Sequence, residues 1–301
     1  MKLLLLAAAC VGILLAQAKE EDSRAALEKR FHYKTGTIDL PGGVAKIGLD
    51  STFRYLDPND SQLLLTEGWG NPPGAATLGM LVPAKISPFS REGWAVVITY
   101  DEDGYVKDDD AEKIDYTALL KEMQQGTESD NEERKKAGYE AVKLVGWAAP
   151  PHYDKAAHKL YWAKELSFEG SKENTLNYNI RVLGRRGVLV LNAVSARSQL
   201  AQVEKDMSSV MQFVDFQQGH RYSDYMPGAD KVATYGIAAL VAGKVAAKVG
   251  FLKGILLALV AGKKFVVLAL AGIGSFLAKL FGRKKEVQEA EAAPPSPEQP
   301  A

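Results

Sequence analysis

Cysteine is almost absent from this chain: Cys10 is the only one in 301 residues, and it sits in an N-terminal apolar run. If that run is removed on export, disulfides, thiolate metal sites and a cysteine nucleophile are all excluded. Histidine is scarce, with four copies, and the formal net charge is zero. No basic surface run appears between the two apolar ends, so nucleic acid is not an expected partner. There is no phosphate-binding G-x-x-x-x-G-K-[ST] loop and no dinucleotide fingerprint, and no cofactor is implied. Neither G-x-S-x-G nor S-x-x-K occurs. A triad assembled from distant positions would leave no such trace, so these absences lower the case for an enzyme without closing it.

What the chain does have is two greasy ends. Lys2, the apolar run Leu3 to Leu15 and the A-x-A sequence Ala16-Gln17-Ala18 read as a secretory signal peptide over residues 1–18. A retained anchor would need ~20 apolar residues, which this run lacks. A lipoprotein site at Cys10 has too little apolar sequence before it. The second run extends from Val232 to Phe281 and stops at Arg283-Lys284-Lys285. Lysines interrupt it at 244, 248, 253, 263, 264 and 279, and each costs ~2.5–3.5 kcal/mol at a bilayer centre. A span within 255–281 avoids most of that cost, because Lys279 and Lys263-Lys264 can snorkel to opposite faces. With the N-terminus exported, one span places the basic cluster in the cytoplasm, as the positive-inside rule prefers. The expected topology is therefore a single-pass inner-membrane protein with a periplasmic domain. The tail over 282–301 is expected to be cytoplasmic and disordered.

Residues 232–254 are too lysine-rich to cross. At every fourth position the chain places a small residue: Ala238, Ala242, Ala246, Gly250, Gly254, Ala258 and Gly262. Such a stripe lets helices approach closely and would support a homo-oligomer; chance in an Ala/Gly-rich segment is the plainer explanation.

Between the ends, 19–36 reads as a helix or linker and 37–225 as an α+β domain, with a candidate subdomain boundary near 126–138. Thr37–Leu40 and Val44–Ile47 flank Pro41-Gly42-Gly43 as a hairpin, and Ser51–Leu56 is a further strand. Asp57 caps a helix opened by Pro58. Trp94–Tyr100 is a buried strand ended by the turn Asp103-Gly104, with Tyr105-Val106 as its returning partner. Tyr116, Leu119, Leu120 and Met123 share a helical face, and the charge-dense Asp108–Asp110 and Ser129–Lys136 read as solvated faces or a loop. Leu160, Trp162, Leu166 and Phe168 line one strand face. Leu176, Tyr178, Ile180 and Val182 alternate with Asn177, Asn179 and Arg181, a half-buried pattern. After Val188–Val194, a helix carries Leu200, Val203, Met207, Val210, Met211 and Val214 on one stripe. The result is an antiparallel sheet with packing helices. Its β-β-β-α order resembles the sandwich of PsbP-like and Mog1-like domains.

Four blocks carry a further resemblance: Leu40–Ala45, Gly146–Asp154, Asn177–Arg185 and Tyr235–Val241. Together they resemble a bacterial membrane-anchored family of unknown function. The resemblance implies an exported domain tethered by a C-terminal helix in Gram-negative bacteria, and it implies no activity, cofactor or catalytic residue.

Several clusters are chemically suggestive. G-W-x-x-P-P occurs twice, at Gly68–Pro73 and Gly146–Pro151, each expected to precede a strand. Trp69 and Trp147, with Tyr153 and Tyr161, could form an apolar platform for a glycan, lipid or peptide; packing of large aromatics is the plainer reading. His152, Asp154 and His158 are ligand-type residues in one segment, but their spacing is poor for a metal. Asp101-Glu102-Asp103-Gly104 with Asp110 partly imitates a calcium loop and reads better as an acidic hairpin turn. Arg185-Arg186 and Lys135-Lys136 could meet anionic headgroups or simply be solvated. Three functions remain open: a non-enzymatic domain binding an envelope component or membrane partner; an envelope hydrolase or metal-dependent enzyme using His152, Asp154 or His220; and a membrane-active oligomer that the exported domain regulates.

Overall fold

A computed structural model describes residues 21–71, 76–136 and 138–243. The expected signal peptide, membrane span and tail lie outside them. Among the described residues no helix is long and apolar enough to cross a membrane.

A seven-stranded antiparallel sheet dominates the fold. Its strands, in chain order, are β3 (Phe53–Leu56), β4 (Gly79–Pro83), β5 (Ala95–Asp101), β6 (Val142–Asp154), β7 (Lys159–Phe168), β8 (Thr175–Leu183) and β9 (Val188–Ala196). They lie side by side as β3-β4-β5-β9-β8-β7-β6. A smaller sheet has β2 (Ala45–Gly48) between β1 (Thr37–Asp39) and β10 (Val214–Phe216). The β1–β2 hairpin turns through Pro41–Gly43, as its sequence predicts.

One face of the large sheet is covered by the small sheet and by helix α4 (Leu200–Phe213). Ile47 and Phe216 from the small sheet, and Val203, Met207 and Val210 from the helix, meet Leu81, Val96, Ala193, Tyr178 and Ile180 in one core. Lys159 closes the far end of α4 by donating to the carbonyls of Met211 and Val214, satisfying acceptors that a helix C-terminus leaves open.

The opposite face is covered in two separate places. At the β3 end, helix α1 (residues 21–28), the segment after it and helix α2 (Pro58–Leu63) pack Phe31, Leu64, Leu65 and Trp69 onto Met80, Val82 and Val97. Asp57 caps α2 by accepting the Asn59 and Asp60 N–H groups at 3.1 Å, with Pro58 at the first helical position. At the β6 end, helix α3 (Tyr116–Lys136) and helix α5 (Ile237–Ala242) cover Leu160, Trp162, Val188 and Val190. Leu120 and Met123 of α3 also sit over Val142, Leu144, Leu166 and Phe168.

The structure corrects several expectations. The candidate subdomain boundary falls in α3 and the turn after it, and α3 packs on the same sheet as everything else. Ser129–Lys136 is part of that helix, and Arg134 is buried there with its Nε donating to the Glu140 carbonyl. Strand β8 is not half-buried, because Asn177 and Asn179 on its polar face are covered too. Asn192 of β9 and the folded-back Arg181 side chain bond to these asparagines and help to shield them. The second G-W-x-x-P-P lies inside β6 rather than before a strand, among three register irregularities. Proline is tolerated there because β6 is an edge strand with no outer ladder to donate to.

Ile180 is 1 % exposed at the centre of the α4-side core. Ile180→Ala is expected to lower unfolding free energy by about 2–5 kcal/mol, measured by urea denaturation; a loss under about 1 kcal/mol would mean that this core is not the principal one.

Candidate functional site

Sequence spacing reads Asp101, Glu102, Asp103 and Asp110, at the end of β5 and in the loop after it, as an acidic hairpin turn. It is not a hairpin. Tyr105 pairs in parallel with Val232, donating to the Lys231 carbonyl at 2.8 Å and accepting the Ala233 N–H at 2.8 Å. Gly104, at φ +115°, lies against this segment: a Cβ there would sit 2.7 Å from the Lys231 carbonyl oxygen. Three acidic side chains of this loop each hold a different partner. Asp103 accepts the Tyr235 hydroxyl at 2.8 Å and Asp108 accepts that of Tyr153 at 2.8 Å. Asp110 accepts the Ile237 and Ala238 N–H groups at 3.1 and 3.3 Å, capping α5.

Aromatic rings fill the space around the loop. Tyr105 stacks between Tyr222 and Tyr225, with centroids 4.4 and 3.9 Å away. His158 lies 4.1 Å from Tyr222, and its Nδ1 is 3.3 Å from the Tyr153 oxygen. The Tyr222 hydroxyl donates to the Val106 carbonyl at 2.9 Å. Burial, reinforced by Asp108, holds the Tyr153 phenol well above its ordinary pKa, and burial with Asp103 does the same for Tyr235. Both therefore stay protonated and donate. Because Asp108 only accepts, Tyr153 spends its proton there, and a neutral His158 completes the chain with Nδ1–H directed at the phenol oxygen.

His158 is the only described non-glycine residue at positive φ, 52°. The turn around it is built by Asp154, which accepts the Ala156 and Ala157 N–H groups at 2.9 and 3.0 Å. The Leu183 N–H closes it by donating to the His158 carbonyl at 2.9 Å. Burial pushes the His158 pKa down, against the pull of Asp108 and Asp154.

The residues singled out from the sequence are largely dispersed. Trp69 is buried against α2 and donates to the Pro88 carbonyl at 3.0 Å. Trp147 and Tyr153 share the α5 side of the sheet, whereas Tyr161 points to the α4 side. The four aromatics therefore form no common platform. His152 pairs with Tyr161 on the α4 side, with ring centroids 5.1 Å apart. It is thus across the sheet from His158, and Asp154 is occupied with its own turn. Among the described residues no group of three or more His, Cys, Asp or Glu is gathered to hold a metal ion. The His220 backbone closes a turn with Gln217 and Arg185. Ala242 is buried within the domain and Ala238 is partly so; Ala246, Gly250, Gly254, Ala258 and Gly262 lie outside the described residues.

Sequence spacing missed Tyr105, Asp108, Tyr222 and Tyr225 as site residues, and missed the capping role of Asp110, because their partners lie in distant segments of the chain. It also missed the partner of Arg185, which makes two hydrogen bonds to Asp230 at 2.6 and 3.0 Å. These bonds hold the Asp230 carboxyl down to about 2 and fasten residues 226–230 to the β8–β9 turn.

Two outcomes test this arrangement. A histidine whose folded pKa is depressed resists the charged state, so its contribution to stability is complete above about 6.5 and is lost as pH falls below that. His158→Asn keeps a residue that tolerates positive φ and removes the titration. The decline of Tm between pH 7 and pH 5 should flatten in that variant; an unchanged slope would assign the effect elsewhere. Asp110→Ala should cost about 0.5–2 kcal/mol and open the chain near residues 236–243 to proteolysis, with equal cleavage of the two proteins counting against the cap.

Comparison with known proteins adds two distant structural likenesses. PsbP (CyanoP) from Synechocystis sp. PCC 6803 aligns at TM-score 0.35 and 8% identity, over 60% of this chain and 91% of that one. The Ran-binding protein Mog1p from Saccharomyces cerevisiae aligns at TM-score 0.34 and 10% identity, over 65% of this chain and all of that one. Likenesses at this level bear on neither activity nor partner, and the α+β architecture rests on the strand pairing itself. No curated protein matches the chain. The match that spans the fold, the acidic loop and the start of the apolar run is to a family of proteins of unknown function, DUF2167, over residues 32–274, and the chain belongs to that family.

Proposed function

We propose that this protein is an exported, non-enzymatic binding domain tethered to the inner membrane by its C-terminal apolar segment, with the basic cluster Arg283-Lys284-Lys285 in the cytoplasm. The observation that carries the reading is where the apolar run begins. Ile237, Leu240, Val241 and Ala242 are buried in the domain, and Asp110 caps the helix that they form. With the apolar run rooted in the folded core, residues 243–254 are all that separate the domain from the expected span, and in this reading displacement or loading of the domain is felt at the bilayer.

Binding is favoured over hydrolysis by the dispersal of the residues a hydrolase would use. His152, Asp154 and His220 serve three separate local structures, and the grouped side chains around Asp108 spend their hydrogen bonds on one another. The partner this reading implies is an envelope component or a second membrane protein.

Cell fractionation of the full chain tests the topology. Wild-type protein should stay with membranes through alkaline carbonate extraction, and protease added to spheroplasts should digest the domain. A Leu268→Arg, Leu270→Arg double variant should move to the aqueous fraction. Release of the wild-type chain by carbonate, or protection of the domain until the cells are lysed, would overturn the proposal.

A further inference from the structure

Between the two coverings of the sheet's second face runs a polar strip, independent of the clasp around Asp108. Strand register places its members side by side: Lys164 of β7 opposite Asn177 of β8, Trp162 opposite Asn179, and Asn179 opposite Asn192 of β9. Arg181 lies two residues beyond Asn179 on the same face and folds back over it, its guanidinium 5.0 Å from the Trp162 ring centre. The three asparagines are buried, while Lys164 and Arg181 are partly buried and reach solvent.

The hydrogen bonds in this strip run one way. Arg181 can only donate, so Asn179 presents its oxygen to the guanidinium, at 3.3 Å. Asn179 then donates to the Asn177 Oδ1 at 2.8 Å, and Asn177 to the Asn192 Oδ1 at 2.9 Å. Each amide oxygen accepts one bond within the strip, Asn179 donates again to the Asn177 carbonyl at 3.1 Å, and the unspent N–H groups are those of Asn177 and Asn192. Trp162, 1 % exposed, adds a donor with no acceptor in the protein, since its Nε1 is buried and unpartnered. The Lys164 side chain makes no hydrogen bond or ion pair with any described residue. The strip thus offers two cations and several N–H donors and has almost no acceptor of its own.

Such a composition is costly without a counterpart. Burial, then the nearby Arg181 charge, pushes the Lys164 ammonium down to about 8. Burial likewise lowers the Arg181 guanidinium to about 10, against the opposing pull of Asp101 and Tyr235. No carboxylate of the described residues is within ion-pair distance of either cation. A sheet face that needed only packing would carry apolar side chains here, as it does on both flanks.

We propose that this strip binds an oxyanion, a phosphate or carboxylate group, held by Lys164 and Arg181 with the asparagine amides and the Trp162 Nε1–H as further donors. The shared chemistry is the oxyanion; it can arrive as a small free anion or as the headgroup of an anionic lipid.

Thermal unfolding of the full-length protein in neutral detergent provides the test. The probes are inorganic phosphate against sodium chloride of equal ionic strength, and phosphatidylglycerol against phosphatidylcholine mixed into the micelles. At tenfold excess over its dissociation constant a bound anion should raise Tm by about 3–6 °C. Lys164→Met should raise Tm in the absence of any probe, because it removes an uncompensated half-buried charge, and it should abolish the anion-dependent rise. Arg181→Gln should also abolish that rise; because it keeps a donor to Asn179, the amide chain has a partner if the larger change is tolerated. A phosphate response lost in both variants supports a free anion, and a response to phosphatidylglycerol alone, lost in both, supports a headgroup. No saturable response to either probe, or a response that survives Lys164→Met, overturns the proposal.

Discussion

A seven-stranded sheet whose central strands are buried on both faces has to be covered twice, and that requirement organises the molecule. Strand β9 is buried along almost its whole length and β8 nearly so. On one side the small sheet and α4 provide a continuous lid, with Met207 and Val210 over Tyr178 and Ile180. On the other side no single element is wide enough. The N-terminal segment with α2 takes one end, and α3 with α5 takes the other. Neither covering spans the whole face, and each relies on local caps and ion pairs to hold its position.

The α5 covering shows how that is done. A six-residue helix has little stability of its own, so its placement depends on what receives it. Asp110 supplies acceptors for its first N–H groups, Asp103 holds Tyr235, and Arg185 pins Asp230 seven residues before the helix begins. The stacked rings of Tyr105, Tyr222 and Tyr225 fill the volume between these contacts. Carboxylates that look like a solvated turn in the sequence are thus spent on holding the end of the domain. Stability and the proposed coupling to a membrane draw on the same set of contacts: loosening the loop would loosen both.

The gap between the two coverings is occupied differently. There the sheet carries asparagines, a lysine and an arginine on the rows that elsewhere carry valine and leucine. A one-way chain of amide hydrogen bonds satisfies the interior of the strip and leaves its donors in excess. The same low-dielectric surroundings that make an unpaired cation costly would strengthen its attraction to an anion.

Much of the secondary structure was legible in the sequence. The alternation in Leu176–Val182, the Asp57-Pro58 start signal and the stripe from Leu200 to Val214 depend only on period and on local backbone chemistry, which neighbouring residues determine. The antiparallel α+β class follows from the order of those segments. Burial was less legible, since whether Asn177 and Asn179 meet water depends on what lies over β8, and no local pattern encodes that. The candidate sites were least legible of all. Sequence proximity suggested that His152, Asp154 and His158 belong together, but His152 packs on Tyr161 on the α4 side, Asp154 is spent on its own turn, and that turn carries His158 to Tyr222 on the other side. Tyr105, Tyr153 and Tyr222, far apart in the chain, became neighbours because the parallel contact between Tyr105 and Val232 folds the C-terminal segment back over the acidic loop. The sequence by itself determined which segments are strands and helices and where the apolar ends lie. Only the tertiary structure decided which polar groups share a face, because that depends on strand register and on long-range packing rather than on spacing.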